Sequence, residues 1–344
     1  MNDLKLSIIL PIYNVEKYLD ECLDSLYNQD IPETEYEVIC VNDCSPDTCR
    51  DIVLARRYYH SNLILIDHEV NKKQGGARNT GLKAAKGKYV WFVDPDDYIE
   101  KNVLGKLLKI CEINDLDILL FNYSKVTSDK RKLLLTSNYA SNTAVYSGID
   151  YIYNVWGGSY FNHYAAGVVW NRICKKKFLK KHNILFPENI KVAEDVICSL
   201  RTIIFSKKIM SLSDIYYNYR ENADSAMQTM FSYKMDFIFP SAIILGKQII
   251  DLADEVVNIH LPTSIKLKEG GIFRINTFTK PLLKAPFTEK KKFYKMLKEN
   301  KDLIDAVYPF FNEGNKRIIS YPCLSRILLF VINPVVQFLL KLKK

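Results

Sequence analysis

Over the first 125 residues, short continuous apolar runs alternate with stretches whose apolar residues recur every three or four positions. LSIILPIYN (6–14) reads as a strand buried on both faces, with Asn14 as the cap of the helix behind it. In that helix Val15, Tyr18, Leu19, Cys22, Leu23, Leu26 and Tyr27 form a single apolar stripe. The pairing then repeats. Strands YEVICVND (36–43), LILIDHE (63–69), YVWFVD (89–94) and DILLFNYS (117–124) are separated by helices near 47–59, 75–87 and 101–114. This alternation predicts a doubly wound parallel sheet, whose ligands bind beyond the carboxyl ends of the strands. Polar residues collect at those ends: Tyr13 and Asn14, then Asn42 and Asp43, then Asp94, Asp96 and Asp97.

The last group raises a chemical question. A run of β-branched and aromatic residues leads into DPDD, where three carboxylates repel one another unless a proton or a cation intervenes. Pro and Asp also make ordinary solvated turns, so either a turn or a metal site fits the stretch taken alone. A second acidic pair, Glu194 and Asp195, precedes the periodic residues Val196, Ile197, Leu200, Ile203 and Ile204, and so stands at a helix start.

Composition narrows the options. Half-apolar, quarter-charged composition over 344 residues fits a folded chain with a sizeable core. The net charge of +9 is concentrated at one end, because residues 281–344 carry thirteen Lys or Arg against five Asp or Glu. That distribution disfavours a nucleic-acid groove along the main body. The eight cysteines show neither CxxC pairs nor zinc spacing and read as reduced core thiols of a cytoplasmic protein. No signal peptide is recognisable at the amino terminus. The five histidines, His68 among them, have no paired spacing and read as surface or satisfied core residues. Gly75-Gly76 belongs to neither GxxxxGK[ST] nor GxGxxG, which argues against a P-loop or a dinucleotide site.

Taken together, LSIILPIYNVEKYLDECLDSLYNQ, VNDCSPDTCRDI, GGARNTGLKAAKGKYVWFVDPDD and FPENIKVAEDV resemble a family 2 glycosyltransferase of the bacterial polysaccharide-building kind. The resemblance is dense over residues 6–125 and looser over 165–225. It implies a GT-A fold, an α/β architecture with a doubly wound mixed sheet. Its donor half would span 1–125, its acceptor half 126–225, and a helical region 226–344 would follow.

The same resemblance implies roles. Asp96, within the DXD-like Asp94-Pro95-Asp96, would ligate Mn2+ or Mg2+, with Asp94 beside the ribose and the metal. Asp97 would support them or open a helix. Pro11, Tyr13, Asp43 and Arg78 would meet the nucleotide, Tyr13 by stacking and Asp43 by accepting the imide N–H of uracil. Cys44 stands where the family has Gly, which predicts strain if the turn needs positive φ. Asp195 would be the general base of an inverting transfer, paired with Glu194. Trp170, Asn171 and Arg172 fall at acceptor-side positions, Trp170 being equally a core aromatic. Tyr217, Tyr219 and Arg220 lie in a closing segment, with Arg220 a phosphate contact.

The function so implied is transfer from a nucleotide sugar, UDP-linked by preference, to a glycan or lipid-linked saccharide. A polyprenyl-phosphate sugar synthase and a non-catalytic scaffold are the alternatives. At the end of the chain, Ile327 to Leu340 is apolar but shorter than the ~20 residues of a span. With its flanking Arg326, Lys341, Lys343 and Lys344 it reads as a segment that lies on an anionic membrane surface or docks on the core.

Overall fold

A computed structural model describes residues 4–127, 132–133, 142–157, 167–188, 193–221, 235–277, 282 and 287–320. Two compact units emerge, one from Met1–Asn189 with Glu194–Ala223, the other from Ile190–Ala193 with Asp224–Lys344.

The first unit is built on one sheet. β1 (Leu6–Ile12) is flanked in parallel by β2 (Tyr36–Asn42) and β4 (Tyr89–Phe92), and β2 in turn by β3 (Leu63–Asp67). Helices α1 (Glu16–Tyr27), α2 (Cys49–Arg57), α3 (Lys73–Ala84) and α4 (Leu104–Ile113) fall where the periodicity put them, within a few residues. Leu19, Cys22, Leu23 and Leu26 are the buried positions of α1, so the apolar stripe does face the core. Asn14 does not cap this helix. It takes a left-handed conformation (φ 55), and Val15 occupies the cap position without a side-chain bond.

The expectation of a purely parallel sheet is overturned beyond β4. The remaining strands are β5 (Tyr98–Ile99), β6 (Ile118–Val126), β7 (Lys132–Leu133), β8 (Asn142–Tyr146), β9 (Arg172–Lys175) and β10 (Ile209–Arg220). The order is β3-β2-β1-β4-β9-β6-β10-β5, with β7 on β6 and β8 on β10. β9 lies antiparallel to both β4 and β6, while β10 is parallel to β6. The sheet is therefore mixed, as the family resemblance implied. β9 comes after a short helix, α5 (Gly148–Asp150), and leads into α6 (Lys176–Lys181).

Strand order reverses at β1 and β4, the place where such sheets open a crevice. Pro11 helps to open it. The ladder between these strands ends with Val93 N–H donating to Ile9 O, and Pro11 has no N–H with which to extend it. Around the sheet the core is continuous, from Leu19 and Leu23 through Ile8, Trp91 and Phe121 to Tyr216 and Tyr217. Among the described cysteines six are buried and Cys44 is partly exposed; all are free thiols, and Cys323 lies outside the described residues.

The second unit is helical: Met235–Val256, Leu261–Ile275, Phe287–Glu299, Lys301–Val307 and Glu313–Ser320. Phe239, Ile243, Ile250, Ile275, Phe293 and Ile304 share its core. Its first two helices approach so closely that a Cβ on Gly246 would lie 2.9 Å from Gly271 O. None of the described helices is long and apolar enough to cross a membrane. The basic apolar segment at 327–340 lies outside the described residues.

Candidate active site

The carboxyl ends of β1, β2 and β4 carry the side chains singled out above. Tyr13, just past β1, is half exposed, so its ring face is open to a planar ligand. The β1 and β2 loops are tied to each other by short polar bonds: Asn14 N–H donates to Ser45 Oγ (2.7 Å) and Glu16 N–H to Asp47 Oδ2 (2.9 Å). Cys44 does adopt positive φ (57), where an L side chain is strained. Its Sγ donates to His68 O at 3.0 Å.

Asp43 is buried, 2% exposed, and fully positioned. Its Oδ1 accepts from His68 Nδ1 (2.7 Å) and from Lys72 N–H (2.7 Å), and its backbone carbonyl accepts from Asn71 Nδ2 (2.9 Å). No partner for Oδ2 occurs among the described residues. His68 and Asn71 were missed in sequence because neither belongs to a recognisable spacing. The available signal was register, since Asn42 pairs with Asp67 and the residues after each strand emerge side by side.

In DPDD the three carboxylates have different surroundings. Asp97 is buried and saturated, with Tyr217 O–H donating to Oδ2 (2.6 Å) and Arg220 N–H to Oδ1 (2.7 Å). Burial, reinforced by Asp96 and Asp94, raises its affinity for a proton. With both oxygens used it opens no helix and is no ligand; it fastens the turn to β10. Arg220 completes the fastening: its Nε donates to Asp96 O (2.9 Å) and its Nη2 to Glu21 Oε2 (2.6 Å). Asp94 gives Oδ1 to Arg78 and has no partner for Oδ2 among the described residues, and both Asp94 and Asp96 are partly exposed.

Arg78 is buried. At 2% exposure it lies between two chains of the site, donating Nη2 to Asp94 Oδ1 (2.8 Å) and Nη1 to Glu194 Oε1 (2.7 Å). Burial opposes its charge, but Asp94, Glu194 and Asp195 outweigh that and hold the guanidinium protonated. Its Nε has no partner among the described residues. Glu194 opens α7 (Glu194–Phe205) with Asp195 beside it. The Asp195 carboxyl is half-buried and accepts from no other described side chain. Burial and the adjacent Glu194 push its pKa well above the usual carboxylate range, with Arg78 pulling the other way.

α7 is anchored from below by Arg172, whose Nη1 donates to Thr202 Oγ1 at 3.0 Å. Arg172 and Asn171 are buried, 1% and 0% exposed, and Arg172 Nε donates to Asn171 Oδ1 at 3.2 Å. Trp170 is the core alternative: it stacks on Tyr217 with centroids 4.6 Å apart and fixes the ring that holds Asp97. The Gly75-Gly76 pair also has a packing reason. A Cβ on Gly75 would fall 2.5 Å from Pro187 O, in the segment that Asn79 clamps through Phe186 O (2.8 Å) and Phe186 N–H (2.9 Å).

A divalent cation fits this donor set. Among the described residues no three His, Cys, Asp or Glu side chains form a ready cage. Mg2+ and Mn2+ are bound by one or two carboxylates together with substrate phosphates and water, and Asp94 Oδ2 with Asp96 offers hard oxygens of that kind.

The glycosyl transferase family 2 pattern matches residues 7–179, from β1 into α6. The chain is 33% identical over 231 residues to an uncharacterized glycosyltransferase of Bacillus subtilis, EpsJ, which covers 67% of this chain and 65% of EpsJ. It is 34% identical over 220 residues to the poly(ribitol-phosphate) beta-N-acetylglucosaminyltransferase TarS of Staphylococcus aureus, covering 63% of this chain and 35% of TarS. It thus spans just under two thirds of the first relative and about a third of the second. The crystal structure of S. aureus TarS 1–349 in complex with UDP-GlcNAc matches with a TM-score of 0.66 at 28% identity, over 88% of this chain and 81% of that one. The fold is accordingly GT-A, and the protein belongs to glycosyl transferase family 2.

Proposed function

We propose that this protein is an inverting, metal-dependent glycosyltransferase that moves a sugar from a UDP-sugar to a glycan or lipid-linked saccharide during cell-surface polysaccharide synthesis. The observation that carries the reading is the buried Arg78, which joins Asp94 of the DXD-like turn to Glu194 of the acidic pair and so gathers both acidic groups at one crevice. The relative TarS, solved with UDP-GlcNAc, supports a uridine donor.

Each side chain then has a task. Tyr13 stacks on the base, Asp43 accepts its imide N–H through Oδ2, and Pro11 keeps the strand ends apart where the nucleotide enters. Asp96 and Asp94 would hold Mg2+ or Mn2+, which when bound offsets the charge of the departing diphosphate. Asp195 removes the proton of the acceptor hydroxyl as that oxygen attacks the anomeric carbon. Its raised proton affinity suits that step. Glu194 gives Oε1 to Arg78, and with Asp195 acting as the base a single displacement inverts the anomeric centre. Arg78 itself acts on the nucleotide through Asp94.

The reading extends to the basic segment after residue 320, which we place on an anionic, cytoplasmic membrane face. Flotation with anionic liposomes, lost on truncation before Tyr321, tests that part alone. The main test is UDP release from a panel of UDP- and GDP-sugars with and without Mn2+, followed by NMR of the product anomer. Mn2+-dependent release from a UDP-sugar with inverted product is expected; release from GDP-sugars only, or retention, would sink the reading.

A further inference from the structure

We infer that His68 and Thr80 are positioning residues that set the base specificity of the donor pocket, through Asp43. The inference rests on the nucleotide reading above and adds two residues to it.

The placement begins in the sheet. β2 and β3 run in parallel register with Asn42 opposite Asp67, and His68 N–H donates to Asn42 O at 2.9 Å. Residues 43 and 68 therefore leave the sheet side by side. The His68 backbone is held again by the Cys44 Sγ bond to its carbonyl. Its ring is then caught at both nitrogens, Nδ1 at 2.7 Å from Asp43 Oδ1 and Nε2 at 2.9 Å from Thr80 Oγ1 in α3. The side chains of His68 and Asp43 are 5% and 3% exposed, so water does not compete for these bonds.

The direction of the bonds follows from what each group can do. An ionised carboxylate only accepts, so the proton of His68 sits on Nδ1. With that single ring proton on Nδ1, Nε2 has a lone pair to which Thr80 O–H donates. The donors are ordered from α3 toward the carboxylate, and Lys72 N–H adds a second bond to the same Oδ1. Two bonds to one oxygen fix the plane of the carboxylate and leave Oδ2 as its single open acceptor. Such an oxygen rewards a base edge that presents a ring N–H, as uracil does, and repels one that presents a ring nitrogen lone pair, as cytosine does. With His68 removed, Lys72 N–H alone would hold the carboxylate, and rotation would blur that distinction.

The probes are UDP and CDP, titrated calorimetrically with Mg2+ into the full chain, alongside donor kinetics. Wild type should prefer UDP. His68→Leu should weaken UDP about tenfold, the scale of one lost hydrogen bond to a charged group, and shrink the UDP/CDP ratio, with KM raised and kcat within about twofold. His68→Asn, which retains a donor at the position of Nδ1, should recover most of the ratio. Thr80→Val should weaken UDP by about threefold, and it carries the test if His68→Leu does not fold. The relay is overturned if His68→Leu keeps the wild-type ratio, if it loses UDP and CDP equally, or if folded His68→Asn behaves like His68→Leu. Asp43→Asn separates the two levels. If it abolishes the UDP preference while the His68 and Thr80 variants do not, only the relay fails. If wild type itself shows no UDP preference, the nucleotide reading fails and takes the relay with it.

Discussion

Two carboxylates on the same rim, Asp43 behind β2 and Asp195 at the start of α7, are prepared in opposite ways. Asp43 accepts from His68 and Lys72 through Oδ1 and has no partner for Oδ2 among the described residues. Asp195 accepts from no other described side chain, stands next to Glu194, and is half-buried. Hydrogen bonds to the charged form make a rigid acceptor suited to recognising a ligand N–H. Burial beside a like charge makes a group that gains by taking up a proton, as a base must. Two acidic residues in one crevice thus serve recognition and proton transfer, and the difference lies in their neighbours.

The comparison can be broken at either end. The largest effect is expected from Asp195→Asn, which should keep donor binding while lowering transfer by roughly two or more orders of magnitude in steady-state assays. Near-wild-type transfer would move the base elsewhere. Asp96→Ala should remove the metal-dependent part of UDP binding, read as loss of the Mn2+-induced rise in thermal midpoint with UDP. Arg78→Met leaves the buried Glu194 and the partly exposed Asp94 without their cation and should cost about 3–5 kcal/mol of stability in denaturant titrations. A variant as stable as wild type would mean that the bridge carries little of the site's architecture. Tyr217→Phe deprives Asp97 of one donor and should cost about 1–3 kcal/mol, again by denaturation. The smallest change is Cys44→Gly: relief of strain at φ 57 competes with a more flexible unfolded chain and the lost bond to His68, for a net shift within about 1 kcal/mol.

The parts of the molecule that could be read from sequence are those whose cause is local. The stripe on α1, the buried run of β1 and the strained turn at Cys44 each arise within a few residues, and the structure has all three. The parts that escaped have causes far along the chain. Arg78 reads as a nucleotide-site residue, but nothing near it in sequence shows that Asp94 and Glu194, the latter 116 positions away, converge on it. Asn171 and Arg172 are placed by resemblance on the acceptor side, and nothing nearby in sequence shows that the β9 strand carrying Arg172 is enclosed between β4 and β6. RICK has only four residues and no alternation of its own that would mark it as a strand. His68 reads as a surface or satisfied core residue and is the latter, but its partners are hidden from sequence because they lie across a parallel register 25 residues apart and in the following helix.

The late arrival of β9 also bears on how the chain is made. β4 pairs on one side with β1, but its other neighbour comes with Ile173, opposite Trp91. A ribosome adding about 5–20 residues per second would leave that edge of β4 open for roughly 4–16 s after the strand has emerged. Through that interval YVWF is an unpaired, wholly apolar sheet edge, the sort that recruits strands from other nascent chains. Expression yield should therefore be more sensitive to how fast residues 94–175 are translated than to changes on the sheet's β3 side, whose strand is complete before β4 begins.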